Sequence, residues 1–160
     1  MAQSTASIPH APLHIEATLH RGPVPIEPLI WPEHCGAEAI FIGRTRAESH
    51  PEFGSLLKLE YEVFEPMAMK LMQDLGQHIG LKHSCGAVRI VHAQGDIAPG
   101  QASVVIQVAA PHRGEAFAAC RELIDRVKHE LPIWKREHWQ RGTTFVQGCC
   151  AHRAPTGETL

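Results

Sequence analysis

Two lysines flank a proline in the segment KHELPIWKRE, which runs from Lys128 to Glu137. Like charges held close together disfavour each other's ionisation, and partial desolvation adds to this effect, so one of two facing lysines can become a nucleophile or a base. Such chemistry requires a corner at Pro132 that turns both ammonium groups toward one pocket. Alternatively, Lys128 complements the dipole at the end of a helix, and Lys135 belongs to a solvated strand edge. Taken alone, the segment favours the second interpretation.

The pair His112-Arg113 directly precedes the second predicted helix. A helix N-terminus carries a partial positive charge and unpaired amide hydrogens, so cations are locally unfavourable there. The pair makes sense if an anion such as a phosphate binds the free amides and is held by the guanidinium. Alternatively, Arg113 faces solvent or pairs with Glu115 or Asp96. Both interpretations fit the sequence.

Arg44 and Arg46 follow a buried predicted strand and open a polar loop. Binding residues often occupy such positions, because a rigid strand end holds the loop in place. One or both arginines could therefore reach an anion, although solvated loop arginines are the commoner case.

The charge balance indicates neither a nucleic acid nor a membrane as partner. The 160 residues, a length typical of one domain, include 15 basic and 17 acidic side chains and carry a net charge of -2. The N-terminus has no basic stretch followed by an apolar one, and no apolar run approaches the roughly 20 residues that span a bilayer. We therefore expect a cytoplasmic protein in which any anion site is a local cluster.

The cysteines and histidines form no recognisable metal motif. Five cysteines lack CxxC and paired zinc spacings, so we expect reduced thiols and no bound metal. They are Cys35, Cys85, Cys120, Cys149 and Cys150. The twelve histidines form neither HxH nor HExxH. A phosphate loop, a nucleotide-binding glycine fingerprint and a nucleophile elbow are also missing from the sequence.

Hydrophobic periodicity predicts alternating strands and helices. Strands are predicted over 13–19, 37–42, 57–63, 87–92 and 103–110, with extended pieces over 133–138 and 143–146. Helices are predicted over about 65–81 and 114–131. The first helix carries the apolar stripe Met67, Leu71, Leu75 and Ile79, with Ala68 and Met72 beside them. The second carries Phe117, Cys120, Ile124, Val127 and Leu131.

Proline and glycine mark the ends of these elements. Pro132 ends the second helix, because it has no amide hydrogen and forces the preceding residue into extended geometry. A short turn of helix is predicted near 26–31, a loop over 47–54 and a turn over 95–100.

The order of elements predicts an α+β fold, a two-layer domain with helices packed on a mainly antiparallel sheet. We expect a single domain over residues 12–148. Residues 1–11 and 149–160 lack periodicity and are predicted to be loose tails.

Five segments in unbroken order between residues 37 and 137 resemble the large, catalytic subunit of molybdopterin synthase, the MoaE family. They are FIGRTR (41–46), LEYEVFEPMA (59–68), GDIAPG (95–100), PHRGEAF (111–117) and IDRVKHELPIWKRE (124–137). Each segment alone is a weak match. Their order, and the lysine pair around Pro-Ile-Trp, make the resemblance specific.

The resemblance implies the α/β-hammerhead fold and a sulfur-transfer reaction. This family converts cyclic pyranopterin monophosphate into molybdopterin by adding two sulfurs. The sulfur arrives as a thiocarboxylate on the C-terminal Gly-Gly tail of a small ubiquitin-like subunit. The resemblance also implies a heterotetramer with a central homodimer of this chain, and a step that needs no metal or organic cofactor.

Site residues follow from the resemblance position by position. Lys128 and Lys135 match the family's active-site lysines, and Lys128 is expected to contact the thiocarboxylate and the reacting carbons. Arg46, His112 and Arg113 match pterin-binding and phosphate-binding positions, with the His-Arg pair contributed across the dimer to the neighbour's pocket.

Two positions depart from the family pattern, and a second hypothesis accompanies them. Ala93 stands where the family commonly has arginine, and Phe145 stands where tryptophan is usual. The alternative to the enzyme is a catalytically weak binding module that holds a phosphorylated ligand or a ubiquitin-like tail. Ala93 is the feature that supports this alternative, and the intact lysine pair opposes it.

Overall fold

The computed structural model describes residues 12–146. The two predicted tails, over 1–11 and 149–160, lie outside the described residues. The same holds for the last two residues of the predicted domain and for Cys149 and Cys150.

Eight strands and two helices make up the described part of the chain, and they match the predicted elements closely. In chain order they are β1 (His14–Arg21), β2 (Ala37–Arg44), β3 (Ser49–His50), β4 (Gly54–Val63), α1 (Glu65–Lys82), β5 (Ala87–Ile97), β6 (Ala102–Ala110), α2 (Arg113–Glu130), β7 (Ile133–Trp139) and β8 (Gly142–Val146). The short strand β3, which pairs with the start of β4, occupies part of the segment predicted as a loop.

The strands form one sheet in the order β2-β6-β5-β4-β7-β8, with β1 beside β5 and β3 beside β4. Only the pairing of β1 with β5 is parallel among the described strands. The prediction of a mainly antiparallel sheet is therefore confirmed.

Strand β5 joins the two halves of this sheet. Its first part pairs with β1 and β6, and its last part, Gly95 to Ile97, pairs with β4. The predicted turn over 95–100 is therefore wrong in its first half, because the strand continues through it. The turn itself follows Ile97, where the Gln101 amide donates to the Ala98 carbonyl at 3.1 Å and Gly100 adopts φ +86°.

Both helices pack on one face of the sheet, which confirms the two-layer α+β architecture. Two glycines of α1 allow a close approach to β1. A Cβ atom at Gly76 would lie 2.9 Å from Ile15, and one at Gly80 would lie 2.7 Å from Leu13. Larger residues at either position would push the helix away from the strand.

Most of each predicted stripe is buried, but the first member of each is exposed. Met67 is 51% exposed, while Ala68, Met72, Leu75 and Ile79 are buried in α1. Phe117 is 67% exposed, while the small Ala116 and Ala119 are buried in α2. Adjacent helical residues lie about 100° apart, so a residue next to a buried one can face solvent. Neither helix is long and apolar enough to cross a membrane.

The helical turn predicted near 26–31 does not form. This segment has no regular secondary structure, and its prolines explain why. Proline fixes φ and pushes the preceding residue toward extended geometry, so closely spaced prolines prevent a helical turn. The prolines are Pro23, Pro25, Pro28 and Pro32.

A buried arginine fastens this proline-rich segment to the sheet. Val88 contacts α1, so the neighbouring Arg89 points to the opposite face of β5. Arg89 is 4% exposed and forms ion pairs with Glu16 at 3.0 Å and Glu27 at 2.7 Å. The Glu27 carbonyl also accepts from Gln107 at 2.8 Å. These contacts satisfy a cation that would be costly to bury alone.

A second charged cluster joins the two helices and should make stability depend on pH. Glu122 of α2 lies 2.7 Å from the His83 ring and 2.8 Å from the Lys82 ammonium group. Hydrogen bonds from His83, and then from Lys82, lower the pKa of the Glu122 carboxyl. A carboxyl whose pKa is lowered in the folded state stabilises the fold above its unfolded pKa, and this stabilisation disappears as the pH falls through the folded pKa.

We predict that Glu122→Gln lowers the free energy of unfolding at pH 7 by roughly 0.5–1 kcal/mol, because the pairs are partly exposed. The difference from the unmodified chain should shrink at pH values below about 4.3, the ordinary glutamate pKa. Urea unfolding at a series of pH values measures this difference. Glu52→Gln, in an exposed turn, is the control. A difference that stays constant across the pH range would contradict the prediction.

Candidate functional site

The end of α2 and the start of β7 form a sharp corner. The helix ends at Glu130, and Leu131 adopts φ -72° and ψ 136°, the extended geometry expected before Pro132. The Phe64 amide then donates to the Pro132 carbonyl at 3.2 Å. This bond starts the antiparallel pairing of β7 with β4. Strand β7 therefore begins directly after the end of α2.

The register of β7 on β4 decides which side chains face the helices. Tyr61 lies opposite Lys135, and Leu59 lies opposite Glu137. Directly opposed residues of an antiparallel pair share a face, so Lys135 and Glu137 lie on the same side as the buried Leu59 and Tyr61. The intervening Arg136 points to the other side.

This arrangement places both lysines in one pocket of about 200 Å³. Its wall comes from the ends of α2 and β2 and from strands β4 to β7. The charged groups in the wall are Arg44, Arg46, Lys128, Lys135, Glu48 and Glu137. Four cations against two carboxylates make the pocket suited to an anionic ligand. The chain thus brings together three of the five predicted site residues: Lys128, Lys135 and Arg46.

Lys135 is held in position by a chain of side chains. Its ammonium group lies 3.1 Å from the Glu137 carboxylate, which also accepts from the Thr144 hydroxyl at 2.8 Å. The Trp139 indole donates to the same hydroxyl at 2.8 Å. Because each group in this chain is anchored by the next, Lys135 is oriented before any ligand enters the pocket.

Lys128 is less constrained than Lys135. Its ammonium group lies 5.8 Å from the centroid of the Phe41 ring, a cation–π contact. No carboxylate of residues 12–146 forms a salt bridge with it. A half-buried cation without a counter-charge is a natural contact for an incoming anion.

The two arginines at the end of β2 occupy the rim of the pocket. Arg44 donates to the Gly100 carbonyl at 2.9 Å, which ties it to the turn after β5. Arg46 pairs with Glu48 at 2.8 Å, and its side chain is 85% exposed. Arg46 can therefore turn toward a ligand with little loss of packing.

His112 and Arg113 lie elsewhere on the chain. They line a separate, open pocket together with Gly36, Ala37 and Glu115. Asp96, one of the partners considered for Arg113, pairs with Lys58 at 2.6 Å instead. Arg113 and Lys128 sit at opposite ends of α2, and fifteen residues of helix place them about 22 Å apart at 1.5 Å per residue.

Tyr61 and His92 line the lysine pocket and were not predicted as site residues. His92 is 2% exposed, and burial lowers its pKa to about 4, so the ring is neutral at physiological pH. Its Nδ1 lies 2.8 Å from the Ala93 carbonyl, and its ring meets Tyr61 edge to face at 5.3 Å. Glu137 could have been inferred from strand alternation, since it lies two residues after Lys135 on the same strand, whereas the position of Tyr61 depends on the pairing of β4 with β7.

The described cysteines are poor candidates for the chemistry of this pocket. Cys35, Cys85 and Cys120 are buried free thiols, and none of the three lines the pocket. Burial raises the pKa of Cys85 to about 12 and that of Cys120 to about 11, so both stay protonated at neutral pH. Residues 12–146 also contain no group of three His, Cys, Asp or Glu side chains placed to hold a metal.

Both departures from the family pattern point away from the lysine pocket. Ala93 follows His92 on β5, so its side chain faces the other side of the strand. Phe145 pairs with Arg136, whose side chain also points away from Lys135. Neither residue belongs to the pocket wall.

Comparison with known proteins gives a consistent result. Residues 18–130 match the profile of a family described as MoaE protein. The molybdopterin synthase catalytic subunit of Nostoc sp. is 40% identical over 118 residues, which cover 72% of this chain and 70% of that protein.

Solved structures share the fold. The X-ray crystal structure of molybdopterin synthase from Staphylococcus aureus matches with a TM-score of 0.69 and 29% identity, over 88% of this chain and 99% of that chain. A complex of subunits 1 and 2 of molybdopterin-converting factor from Helicobacter pylori matches with a TM-score of 0.63. The match covers 84% of this chain and 90% of the matched chain. Its identity of 17% shows the common fold alone.

We predict that Glu137→Gln increases the affinity of the pocket for inorganic phosphate several-fold. The substitution removes one of two carboxylates while it preserves side-chain shape, so the positive potential rises beside Lys135. Isothermal titration calorimetry at low salt measures the affinity. Glu62→Gln is the matched control, because Glu62 is exposed and pairs with Arg136 on the other face of the same strands. An equal gain in both variants would show that the pocket is not where phosphate binds.

Proposed function

This chain belongs to the MoaE family of molybdopterin synthase catalytic subunits, enzymes that transfer sulfur in molybdenum cofactor biosynthesis, and we propose that the pocket of Lys128 and Lys135 is its reaction site. The observation that supports the proposal is the corner at Pro132, which places both lysines in one positively charged pocket. The substrate is cyclic pyranopterin monophosphate, whose phosphate matches the charge of the pocket.

The sulfur comes from outside the described chain. None of the three described cysteines lines the pocket, and burial keeps Cys85 and Cys120 protonated. A thiocarboxylate at the Gly-Gly C-terminus of a small ubiquitin-like subunit supplies this sulfur, because an extended tail can enter the lysine pocket. The Helicobacter pylori complex of two converting-factor subunits supports a small-subunit partner of this kind.

The two lysines divide the sulfur chemistry between them. The thiocarboxylate sulfur bonds to a substrate carbon as that carbon's bond to oxygen breaks, and the oxygen leaves as water or stays on the phosphate. Water then hydrolyses the acyl–sulfur bond, which leaves the sulfur on the pterin and releases a carboxylated tail. Lys128, which has no salt bridge among the described residues, contacts the acyl oxygen and stabilises the negative charge that develops on it. Lys135, held by Glu137, orients the substrate beside the tail.

A second copy of this chain completes the phosphate site. Arg46 lies at the rim of the lysine pocket, whereas His112 and Arg113 lie about 22 Å from Lys128 along α2. One chain therefore cannot direct all five residues at one small ligand. The pocket volume of about 200 Å³ also falls below the roughly 300–1,000 Å³ of small-molecule sites, which favours a site closed by a neighbour. A homodimer at the centre of a heterotetramer provides that neighbour.

We predict that Lys128→Ala lowers the rate of molybdopterin formation by roughly 10²–10⁴-fold, because it removes the group that stabilises the reacting acyl oxygen. The assay combines the purified chain, the thiocarboxylated small subunit and cyclic pyranopterin monophosphate. Lys70→Ala, an exposed lysine of α1 that pairs with Asp74, is the control. Full activity of the Lys128 variant would remove this residue from the mechanism.

The same assay distinguishes the enzyme hypothesis from the binding-module hypothesis. An unmodified chain that binds the small subunit but incorporates no sulfur would select the binding module. Sulfur incorporation that depends on Lys128 selects the enzyme.

We predict that two inactive variants complement each other if the site is shared between subunits. In a dimer of Lys128→Ala with Arg113→Ala, one site carries both substitutions and the other carries neither. Random pairing makes half of the dimers mixed, so the unfractionated mixture should recover about one quarter of the unmodified activity. Coexpression of the variants under two affinity tags isolates the mixed dimer, which should recover about one half. Mixed dimers as inactive as their parents would place Arg113 and Lys128 in the same subunit's site.

A further inference from the structure

Thr45 carries a hydroxyl group with no hydrogen-bond partner. The residue is 4% exposed, and its Oγ1 is the one buried side-chain polar atom within residues 12–146 that lacks a partner. Leaving a buried hydroxyl unpaired is unfavourable, because the group loses its hydrogen bonds to water and gains none in the fold. Valine has nearly the same shape and would avoid this cost, so the hydroxyl needs an explanation beyond packing.

The backbone already fixes Thr45 in place without help from its side chain. Its amide donates to the Gln101 carbonyl at 3.0 Å, and its carbonyl accepts from the Gly100 amide at 2.7 Å. These two bonds tie the end of β2 to the turn after β5. The hydroxyl therefore has no role in holding this corner of the fold.

Thr45 belongs to the wall of the lysine pocket and lies between Arg44 and Arg46. The Ser103 hydroxyl, which belongs to the same wall, donates to the Gly43 carbonyl at 3.3 Å. Thr45 thus offers an unpaired hydroxyl in a wall that also carries Lys128. Rotation about its χ1 exchanges the hydroxyl with the methyl group, so the hydroxyl can face a molecule that enters the pocket.

We propose that the Thr45 hydroxyl donates a hydrogen bond to an acceptor oxygen of the pterin phosphate and is a substrate-positioning residue. The surrounding cations select an oxygen that carries negative charge, and the hydroxyl adds direction to that attraction. This inference rests on the proposed function, because it assumes that the lysine pocket receives the pterin phosphate.

The test compares Thr45→Val with the unmodified chain in equilibrium binding of cyclic pyranopterin monophosphate, followed by pterin fluorescence. The affinity should fall about tenfold, as expected for one hydrogen bond to a charged group. Thermal unfolding of the ligand-free variant should be unchanged or shifted upward, because an unpaired buried hydroxyl has been removed. Thr45→Ser, which keeps the hydroxyl, should retain most of the affinity.

Thr18→Val provides the matched control, since Thr18 is exposed on β1 and outside the pocket wall. Unchanged affinity in Thr45→Val would overturn the inference, and so would an equal loss in Thr45→Ser. An unmodified chain that binds the pterin but forms no product would overturn the proposed function, while the Thr45 comparison would stand. An unmodified chain that binds no pterin would overturn both.

Discussion

The corner at Pro132 is the constraint on which the pocket depends. Because Leu131 is extended and Pro132 cannot continue the helix, α2 must end at Glu130, two residues after Lys128. The hydrogen bond from Phe64 then sets the register of β7 on β4. A shift of this register by one residue would turn Lys135 and Glu137 to the opposite face of the sheet. The position of both lysines therefore follows from one proline and one strand pairing.

The pocket concentrates positive charge without destabilising the fold, because most of its cations have a partner of their own. Lys135 pairs with Glu137, Arg46 pairs with Glu48, and Arg44 donates to the Gly100 carbonyl. Lys128 has only the face of the Phe41 ring. Partners that are weak or exposed can be exchanged for a ligand at low cost, whereas a buried cation with two carboxylate partners, such as Arg89, would resist exchange.

Periodicity predicted the elements and the layer arrangement well, because strand alternation and helical stripes report burial directly. It failed where burial depends on distant residues. Phe117 lies at a helical position next to the stripe, and only the packing of Ala116 and Ala119 into the core decides that it is exposed. The Thr45 hydroxyl could not be recognised from sequence, since whether it has a partner depends on the surrounding fold. Site residues on one strand were accessible to reasoning, and those joined across the fold were not.

Helix α2 separates two of the predicted site residues. It holds Lys128 in its last turn and Arg113 in its first, about 22 Å apart by helix geometry. A ligand the size of a pterin phosphate cannot span this length, so the two ends must serve different sites. In a twofold dimer, any contact between the first turn of one helix and the last turn of its partner occurs twice. The length of this helix thus favours a site shared between two subunits, because Arg113 and Lys128 of one chain lie too far apart to contact the same small ligand.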